Sequence, residues 1–180
     1  MSLANFDSLP DDARVWCFGA ERALDGARTA QLLDSTNRFL ERWTAHRREL
    51  TAGFALRYQR FLFVAVDESR AGASGCSIDA LLHYLTRLET EIGVRLTDSA
   101  PVWYRDAEGR IRCVGRAEFR RLAERGEVSG ETIVFDLTLT RLGDVRAGRW
   151  EVPAAGAWHA RLLPDRPGAE TRSAPVAGRG

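Results

Sequence analysis

The chain contains no lysine, and each of its 26 basic residues is an arginine. This absence excludes chemistry that needs a lysine amine, such as a Schiff base, a Ser-Lys dyad or a phosphate loop of the pattern GxxxxGK[ST]. Cysteine is also sparse, since only Cys17, Cys76 and Cys113 occur and none belongs to a CxxC pair. We therefore expect no disulfide framework and no structural zinc site. Neither a metal ion nor any other cofactor is predicted, because no histidine or carboxylate pair has the spacing of a metal motif.

Long apolar runs and one-sided charge are absent as well. No stretch approaches the roughly 20 apolar residues that span a bilayer, and residues 1–7 lack the basic and apolar segments of a signal peptide. The 26 basic and 25 acidic residues nearly balance, so no overall field recruits nucleic acid or an anionic membrane. We predict a cytoplasmic protein with no membrane span and no nucleic-acid partner. Residues 164–180 lack apolar periodicity and are rich in Pro, Gly, Ala and Arg, so we expect them to be disordered.

Candidate chemistry is concentrated in residues 64–79. An apolar strand runs there into two carboxylates, Asp67 and Glu68, then a loop of small residues, and then Cys76 at the start of a helix. The apolar periodicity of the neighbouring segments predicts which of them are strands and which are helices, and so where residues 64–79 lie in the fold.

The residues before this stretch carry the signals of a small α+β unit. The run 14–19 predicts a strand, and Asp25 is a suitable N-cap for a helix over about 26–43. Alternation over 50–58 predicts a half-buried strand, and the unbroken apolar run 61–66 predicts a central strand joined to it by a tight turn. The apolar face of the first helix comprises Leu32, Leu33, Phe39, Leu40 and Trp43.

A second helix is predicted with Ser77 as its N-cap and Gly93 at its end. Its apolar stripe comprises Ile78, Leu81, Leu82, Leu85, Leu88 and Ile92. A short strand over 94–96 follows. The order strand, helix, strand, strand, helix, strand is that of a ferredoxin-like split βαβ fold with both helices on one face of the sheet. We therefore predict an α+β protein whose residues 1–99 form a ferredoxin-like domain.

This topology predicts which residues meet at one edge of the sheet. Successive elements alternate in direction, so the end of the first helix, the end of the third strand and the start of the second helix share an edge. The predicted fourth strand leaves from the same edge, so the rest of the chain is attached beside it. The residues placed at this edge are Trp43, His46, Asp67, Glu68, Cys76, Ser77 and Asp79.

Residues 100–163 are predicted to form a second, smaller α+β module. Turn-forming residues at 98–101 precede it. A hairpin over 102–114, a short helix over 116–125 and a strand over 132–140 follow in order.

A spaced pattern in this module resembles a known family. The pattern consists of Trp103-Tyr104, Gly109, Glu118-Phe119, Leu122, Gly126, Thr132-Ile133-Val134, Trp150 and Pro153. It covers about residues 101–158 and is similar to the bacterial variant of the GYF-type domain, a small adaptor module. Cys113-Val114 stands where that family usually has Gly-Pro. The resemblance implies that a protein or peptide is bound.

Motifs along the whole chain resemble a second family. They are Trp43-Thr44-Ala45-His46, Asp67-Glu68-Ser69, the run from Ala73 to Asp79, the run from Trp150 to Pro153, and Trp158-His159. Over residues 8–163 these motifs are similar to an uncharacterised bacterial family whose members often carry the label "ABC transporter ATPase". ATPase activity is not expected, because the chain has no Walker lysine and is too short for a nucleotide-binding domain.

Cys76 is the candidate nucleophile of the predicted edge. Free N–H groups and the dipole at a helix start stabilise a thiolate. His46 would act as the base and Asp67 or Glu68 would orient it, as in other Cys-His-carboxylate arrangements. The same cysteine also fits a structural role, packed under the loop as a small residue, or a role in contacting a ligand.

The loop before Ser77 has a second interpretation, as a cradle for an anion. N–H groups at a helix start bind phosphate or carboxylate without a lysine, and small side chains let a ligand approach the backbone. Helix capping and chain reversal explain the same residues without any ligand. The ligand-binding candidates of the whole chain are Glu68, Gly75, Ser77, Asp79, Trp43, Trp158 and His159.

Three functions fit these observations. The one we expect is a binding or adaptor protein, with a ligand or partner site at the 67–79 edge and the domain interface. The second is a cysteine-dependent enzyme with Cys76 as nucleophile and His46 as base. The third is a small-anion or nucleotide sensor without a Walker motif. The partner is accordingly expected to be a protein, a peptide or a small anion.

Overall fold

A three-stranded antiparallel sheet forms the centre of the first half of the chain. The computed structural model describes residues 5–45, 48–69 and 72–164. The strands of this half are β1 (Arg14–Gly19), β2 (Thr44–Ala45), β3 (Arg48–Glu49), β4 (Thr51–Arg57) and β5 (Phe61–Asp67). The sheet has the order β1-β5-β4, and β2 and β3 form a separate small pair. β5 takes the central position because its apolar residues, all buried from Phe61 to Val66, need shelter on both faces.

Two helices, α1 (Gly26–Leu40) and α2 (Gly75–Ile92), cover one face of this sheet. Asp25 caps α1 as predicted, because its carboxylate accepts the backbone N–H of Arg28 at 2.9 Å. The helix ends at Leu40, short of the predicted end at Trp43. No helix within the described ranges is both long enough and apolar enough to cross a membrane.

α2 begins before its predicted N-cap, so the prediction for Ser77 is wrong. Ser74 caps the helix instead, with its hydroxyl oxygen accepting the N–H of Ser77 at 3.2 Å. Ser77 therefore lies inside the first turn. The predicted end is confirmed, since Gly93 follows the helix at φ 64°, a conformation that glycine adopts without strain.

Most of the predicted apolar-face residues of both helices are buried, but one residue of each helix departs from the prediction. Leu33 of α1 and Leu82 of α2, both predicted to be apolar-face residues, are 37% and 40% exposed. Thr36 and Tyr84 are buried instead, with 3.0 Å between the two hydroxyl oxygens, which share a hydrogen bond. Two polar groups can be buried together when each satisfies the other. A hydropathy pattern does not reveal such a pair, because both residues look like surface or border positions.

Residues 94–96 do not form the predicted fourth strand. The carboxylate of Glu89, in the last turn of α2, accepts the backbone N–H groups of Leu96 and Thr97, each at 2.5 Å. In a strand, one of these two successive N–H groups would have pointed to the neighbouring strand. The sheet of the first half therefore has three strands within the described residues, and a side chain takes the place of a strand partner.

The second half of the chain folds around a four-stranded antiparallel sheet. Its elements are β6 (Val102–Arg105), β7 (Ile111–Val114), α3 (Arg116–Glu124), β8 (Ile133–Phe135), α4 (Leu142–Arg146) and β9 (Glu151–Pro153). The strand order is β7-β6-β8-β9. β8 is shorter than the predicted strand over 132–140, because the carboxylate of Asp136 accepts the N–H of Thr138 at 3.0 Å and turns the chain. The protein is thus of mixed α+β architecture in both halves.

The two halves bury one apolar layer between their sheets. Successive residues of a strand face opposite sides of a sheet, and on β5 Phe61 and Phe63 face the second half. The ring of Phe61 stacks on that of Phe135 with 4.6 Å between centres, and the ring of Phe63 lies 5.0 Å from that of Trp150. The first sheet therefore carries helices on one face and the second half of the chain on the other.

Candidate functional site

The predicted edge of the first sheet brings Trp43 and Ser77 together. The indole N–H of Trp43 donates to the backbone oxygen of Ser77 at 2.8 Å. Both side chains are buried, and the Ser77 hydroxyl donates to the backbone oxygen of Ser74 at 2.8 Å. Their polar groups are thus engaged within the protein. These two ligand-binding candidates hold the segment after α1 against the first turn of α2.

The carboxylates of Asp67 and Glu68 shape the loop that follows β5. Glu68 accepts the backbone N–H of Ala73 at 3.1 Å, and one of its oxygens lies 3.8 Å from the guanidinium of Arg14. Asp67 accepts the backbone N–H of Ser69 at 2.9 Å. Both carboxylates therefore have a structural task in this loop.

Cys76 is exposed at the second position of α2, next to the exposed Gly75. Asp79 is also exposed, but it lies beyond the first turn, because α2 starts before Ser77. His46 lies outside the described residues, so its proposed role as the base for Cys76 remains a prediction.

The other two cysteines are less accessible than Cys76. Burial raises the pKa of the Cys17 thiol to about 12, and this thiol donates to the backbone oxygen of Leu139 at 3.7 Å. Burial also raises the pKa of the Cys113 thiol. Both thiols are therefore protonated at neutral pH. Within the described ranges, no group of three or more His, Cys, Asp or Glu side chains is placed to hold a metal ion.

Trp158 and His159 pack with the core of the second half, a different apolar cluster from the one that contains Trp43. His159 is buried, and its Nδ1 has no hydrogen-bond partner among the described residues. Burial lowers the pKa of His159 to about 4, so the imidazole is neutral at pH 7. The half-buried Trp158 stacks on it with 4.0 Å between ring centres, and the guanidinium of Arg116 lies 4.7 Å from the Trp158 ring centre. The structure therefore does not bring this pair to the 67–79 edge.

A groove of about 540 Å³ lies between α1 and α2, with Trp43 at one end. Its floor is aromatic, because Phe39 stacks on Tyr84 with 4.3 Å between ring centres and 7° between ring planes. The ring of Trp43 lies 5.7 Å from that of Phe39. Burial raises the pKa of Tyr84, and its hydroxyl is shared with Thr36, so the floor carries no charge at neutral pH.

Arginines surround this floor. Arg38, Arg42 and Arg87 line the groove together with one carboxylate, that of Glu91. Arg38 pairs with Asp34, one turn earlier on α1. Arg42 and Arg87 form no ion pair with any carboxylate in the described part of the chain. The rim is therefore positively charged, and two guanidinium groups can engage a ligand.

The residues of α2 that line this groove can be recognised in the sequence by their helical spacing, although their hydropathy does not mark them. Residues spaced by three and four share one face of a helix. On α2 this spacing links Cys76, Ala80, Tyr84, Arg87 and Glu91. The last four line the groove, so the exposed Cys76 lies on the groove side of α2, one turn from Ala80.

Comparison of the chain with models of protein families, with curated proteins and with solved structures found no match. The likeness of residues 101–158 to the GYF-type domain, and of residues 8–163 to a bacterial family, therefore rests on the motifs alone.

Proposed function

We propose that this protein is a binding or adaptor protein, and that the α1–α2 groove receives an acidic, partly apolar segment of a partner protein. The observation that carries this proposal is an aromatic floor beside Arg42 and Arg87, which have no described ion-pair partner. A guanidinium group binds a carboxylate through two parallel hydrogen bonds. Apolar side chains bury their surface on an uncharged aromatic floor. A segment that carries both acidic and apolar side chains complements this groove.

The surroundings of the groove also favour a protein segment. Two helices form its walls and it is open at the surface, which is the arrangement in which an amphipathic helix docks. The opposite face of the first sheet is covered, because Phe61 and Phe63 pack against the second half. The helical layer is therefore the broad surface that the first half offers to a partner.

The 67–79 edge continues from this groove. The hydrogen bond between Trp43 and Ser77 fixes their common end, and Cys76 lies one helical turn from Ala80. A segment that leaves the groove past Ala80 would pass the exposed Cys76. We propose that the edge contributes further contacts to the same partner.

The finer fold assignments belong to the same proposal. We propose that the first half is a ferredoxin-like unit without its fourth strand, in which Glu89 accepts backbone N–H groups from the segment where that strand is expected. We also propose that residues 101–158 are a GYF-type module. The element order, with both helices on one face, supports the first assignment. The hairpin, short helix and following strand support the second. The two units together would act as a cytoplasmic adaptor.

A cysteine-dependent enzyme is the second candidate function, and the exposure of Cys76 on α2 favours it. The substitution Cys76→Ser separates the two functions. In an adaptor it changes partner binding in the groove only slightly, because serine has nearly the same size, whereas in an enzyme it abolishes turnover and any covalent adduct. A small-anion sensor would instead show thermal stabilisation by phosphate-containing metabolites.

Site-specific crosslinking tests the proposed function. A photoreactive phenylalanine analogue at Ala80, which lines the groove, should crosslink to segments rich in Asp and Glu with neighbouring apolar residues. The same analogue at the exposed Ala117 of α3 is the matched control. The double substitution Arg42→Glu and Arg87→Glu should abolish the crosslinks, whereas Arg120→Glu with Arg161→Glu makes the same charge change elsewhere and should keep them. Crosslinks that persist after the groove substitutions, or that join basic segments, would count against the proposal.

A further inference from the structure

We propose that the junction of the two halves contains a second binding site, which takes a small uncharged apolar molecule of about the size of one aromatic ring. A cavity of about 150 Å³ lies between β1 and the second sheet; we call it the junction cavity. Both halves and the segment that joins them supply its apolar wall, which includes Phe18, Leu96, Pro101, Trp103, Phe135 and Leu137.

Four polar side chains that border the junction cavity are engaged by other groups of the protein. The Thr138 hydroxyl donates to Asp136 at 2.6 Å, and the Cys17 thiol and the Trp103 indole donate to backbone oxygens at 3.7 and 2.9 Å. Asp98 accepts a backbone N–H at 2.9 Å. A water molecule in a cavity needs about two to four polar partners. The apolar part of the wall therefore favours a molecule without charge or hydrogen-bonding groups.

The size of the cavity defines the ligand class. Sites for drug-sized ligands have volumes of about 300 to 1,000 Å³, whereas apolar cavities of about 150 Å³ take up benzene or xenon. Gly19 packs closely on two residues of this wall, since a Cβ added there would lie 2.7 Å from Cζ2 of Trp103 and 2.8 Å from Cδ1 of Leu137. Ring systems much larger than benzene therefore exceed the volume of the cavity.

This site is independent of the α1–α2 groove, because the two share no lining residue. It also gives a role to Trp158, one of the ligand-binding candidates from the sequence. Trp158 borders the junction cavity and is half-buried.

The test uses the full-length protein with ¹³C-labelled leucine methyl groups and benzene as the probe. We expect saturable chemical-shift changes at Leu96 and Leu137, which line the cavity, and none at Leu82, which is exposed on α2. The absence of saturable shifts up to the solubility limit of benzene would overturn the proposal. Equal shifts at all three leucines would overturn it as well, because they indicate nonspecific solvation.

A cavity-filling variant provides a second test. Leu137→Trp fills the junction cavity, and Leu82→Trp introduces the same side chain at an exposed position as the control. We expect benzene binding to weaken at least about tenfold in Leu137→Trp and to stay unchanged in Leu82→Trp. Unchanged binding by a folded Leu137→Trp protein would overturn the proposal; if this variant does not fold, the methyl shifts of the wild-type protein decide.

Discussion

The indole N–H of Trp43 donates a hydrogen bond of 2.8 Å to the backbone oxygen of Ser77. This bond joins the segment after α1 to the first turn of α2, and so fixes the relative position of the two walls of the groove. It is made between buried groups, where a lost hydrogen bond is not replaced by water.

Replacing Trp43 with phenylalanine should therefore lower the free energy of unfolding by about 1 to 2 kcal/mol, since the hydrogen bond is lost and the smaller ring leaves a void. Trp16→Phe is the matched control, because Trp16 is half-buried against the same core and lies 6.0 Å from Trp43. Urea unfolding measures both changes. Equal losses in the two variants would show that ring size, and not the bond to Ser77, determines the effect.

Glu89→Ala should destabilise the protein by about 2 kcal/mol, because the N–H groups of Leu96 and Thr97 lose their acceptor in a partly buried place. Glu91→Ala removes a carboxylate from an exposed position of the same helix and serves as the control, with an expected change of less than about 0.5 kcal/mol. Hydrogen exchange should show faster exchange at Leu96 and Thr97 in Glu89→Ala alone. Unchanged exchange there would contradict the role assigned to Glu89.

Iodoacetamide should modify the three cysteines at very different rates. Cys76 is exposed, whereas burial raises the pKa of Cys113 and holds that of Cys17 at about 12. We expect Cys76 to react at least about tenfold faster than Cys113, and Cys17 to react most slowly, because the thiolate is the reactive species. Mass spectrometry of timed samples at neutral pH gives the three rates. A rate for Cys17 as high as that of Cys76 would refute the burial argument.

His159 should make the folded protein sensitive to mild acid. Its pKa is lowered to about 4 by burial, from an ordinary 6.5. Between these two values the unfolded chain binds a proton that the folded protein does not, so stability present above pH 6.5 is lost as the pH falls towards 4. The loss attributable to this residue is about 3 kcal/mol.

The variant His159→Phe isolates this contribution, since it keeps an aromatic ring against Trp158 and removes the titrating group. The difference in unfolding free energy between about pH 7.5 and about pH 4.5 should be smaller in the variant than in the wild type. Denaturant unfolding at both pH values gives the comparison. The same difference in both proteins would mean that His159 does not titrate as its burial implies.

Local signals predicted much of the fold. Asp25 caps α1, the strands around the β4–β5 turn lie where the apolar pattern places them, and Gly93 ends α2. Each of these features depends on residues close in sequence, through capping, alternation or a positive φ. Such features can be read from sequence without knowing the tertiary packing.

Features that depend on distant residues could not be predicted in this way. The hydrogen bond between Thr36 and Tyr84 adds a polar residue to the buried face of each helix, and it involves residues far apart in the chain. Glu89 takes the backbone donors of the expected fourth strand, although nothing in the hydropathy pattern distinguishes it from a surface glutamate. The packing of Phe61 and Phe63 on the second half likewise joined two units that look separate in sequence.

The candidate site was located only in part for the same reason. Trp43 and Ser77 do meet, as the topology predicted, but both are buried and hold the fold together. The groove that we propose as the partner-binding surface lies one helical turn further along α2. It depends on how α1 and the turn after it lie against α2, which brings Arg42 and Arg87 to the rim of the groove.

The binding affinity of an acidic segment for the α1–α2 groove tests the central claim most directly. The segment identified by crosslinking at Ala80 would be synthesised, and its Kd measured for the wild type, for Arg42→Glu with Arg87→Glu, and for Arg120→Glu with Arg161→Glu. The groove variant should bind at least about tenfold more weakly, since two charge-assisted hydrogen-bond donors are reversed in sign. The control variant should match the wild type, and higher salt should weaken wild-type binding. Equal affinities for all three proteins would contradict the assignment of the groove as the partner-binding surface.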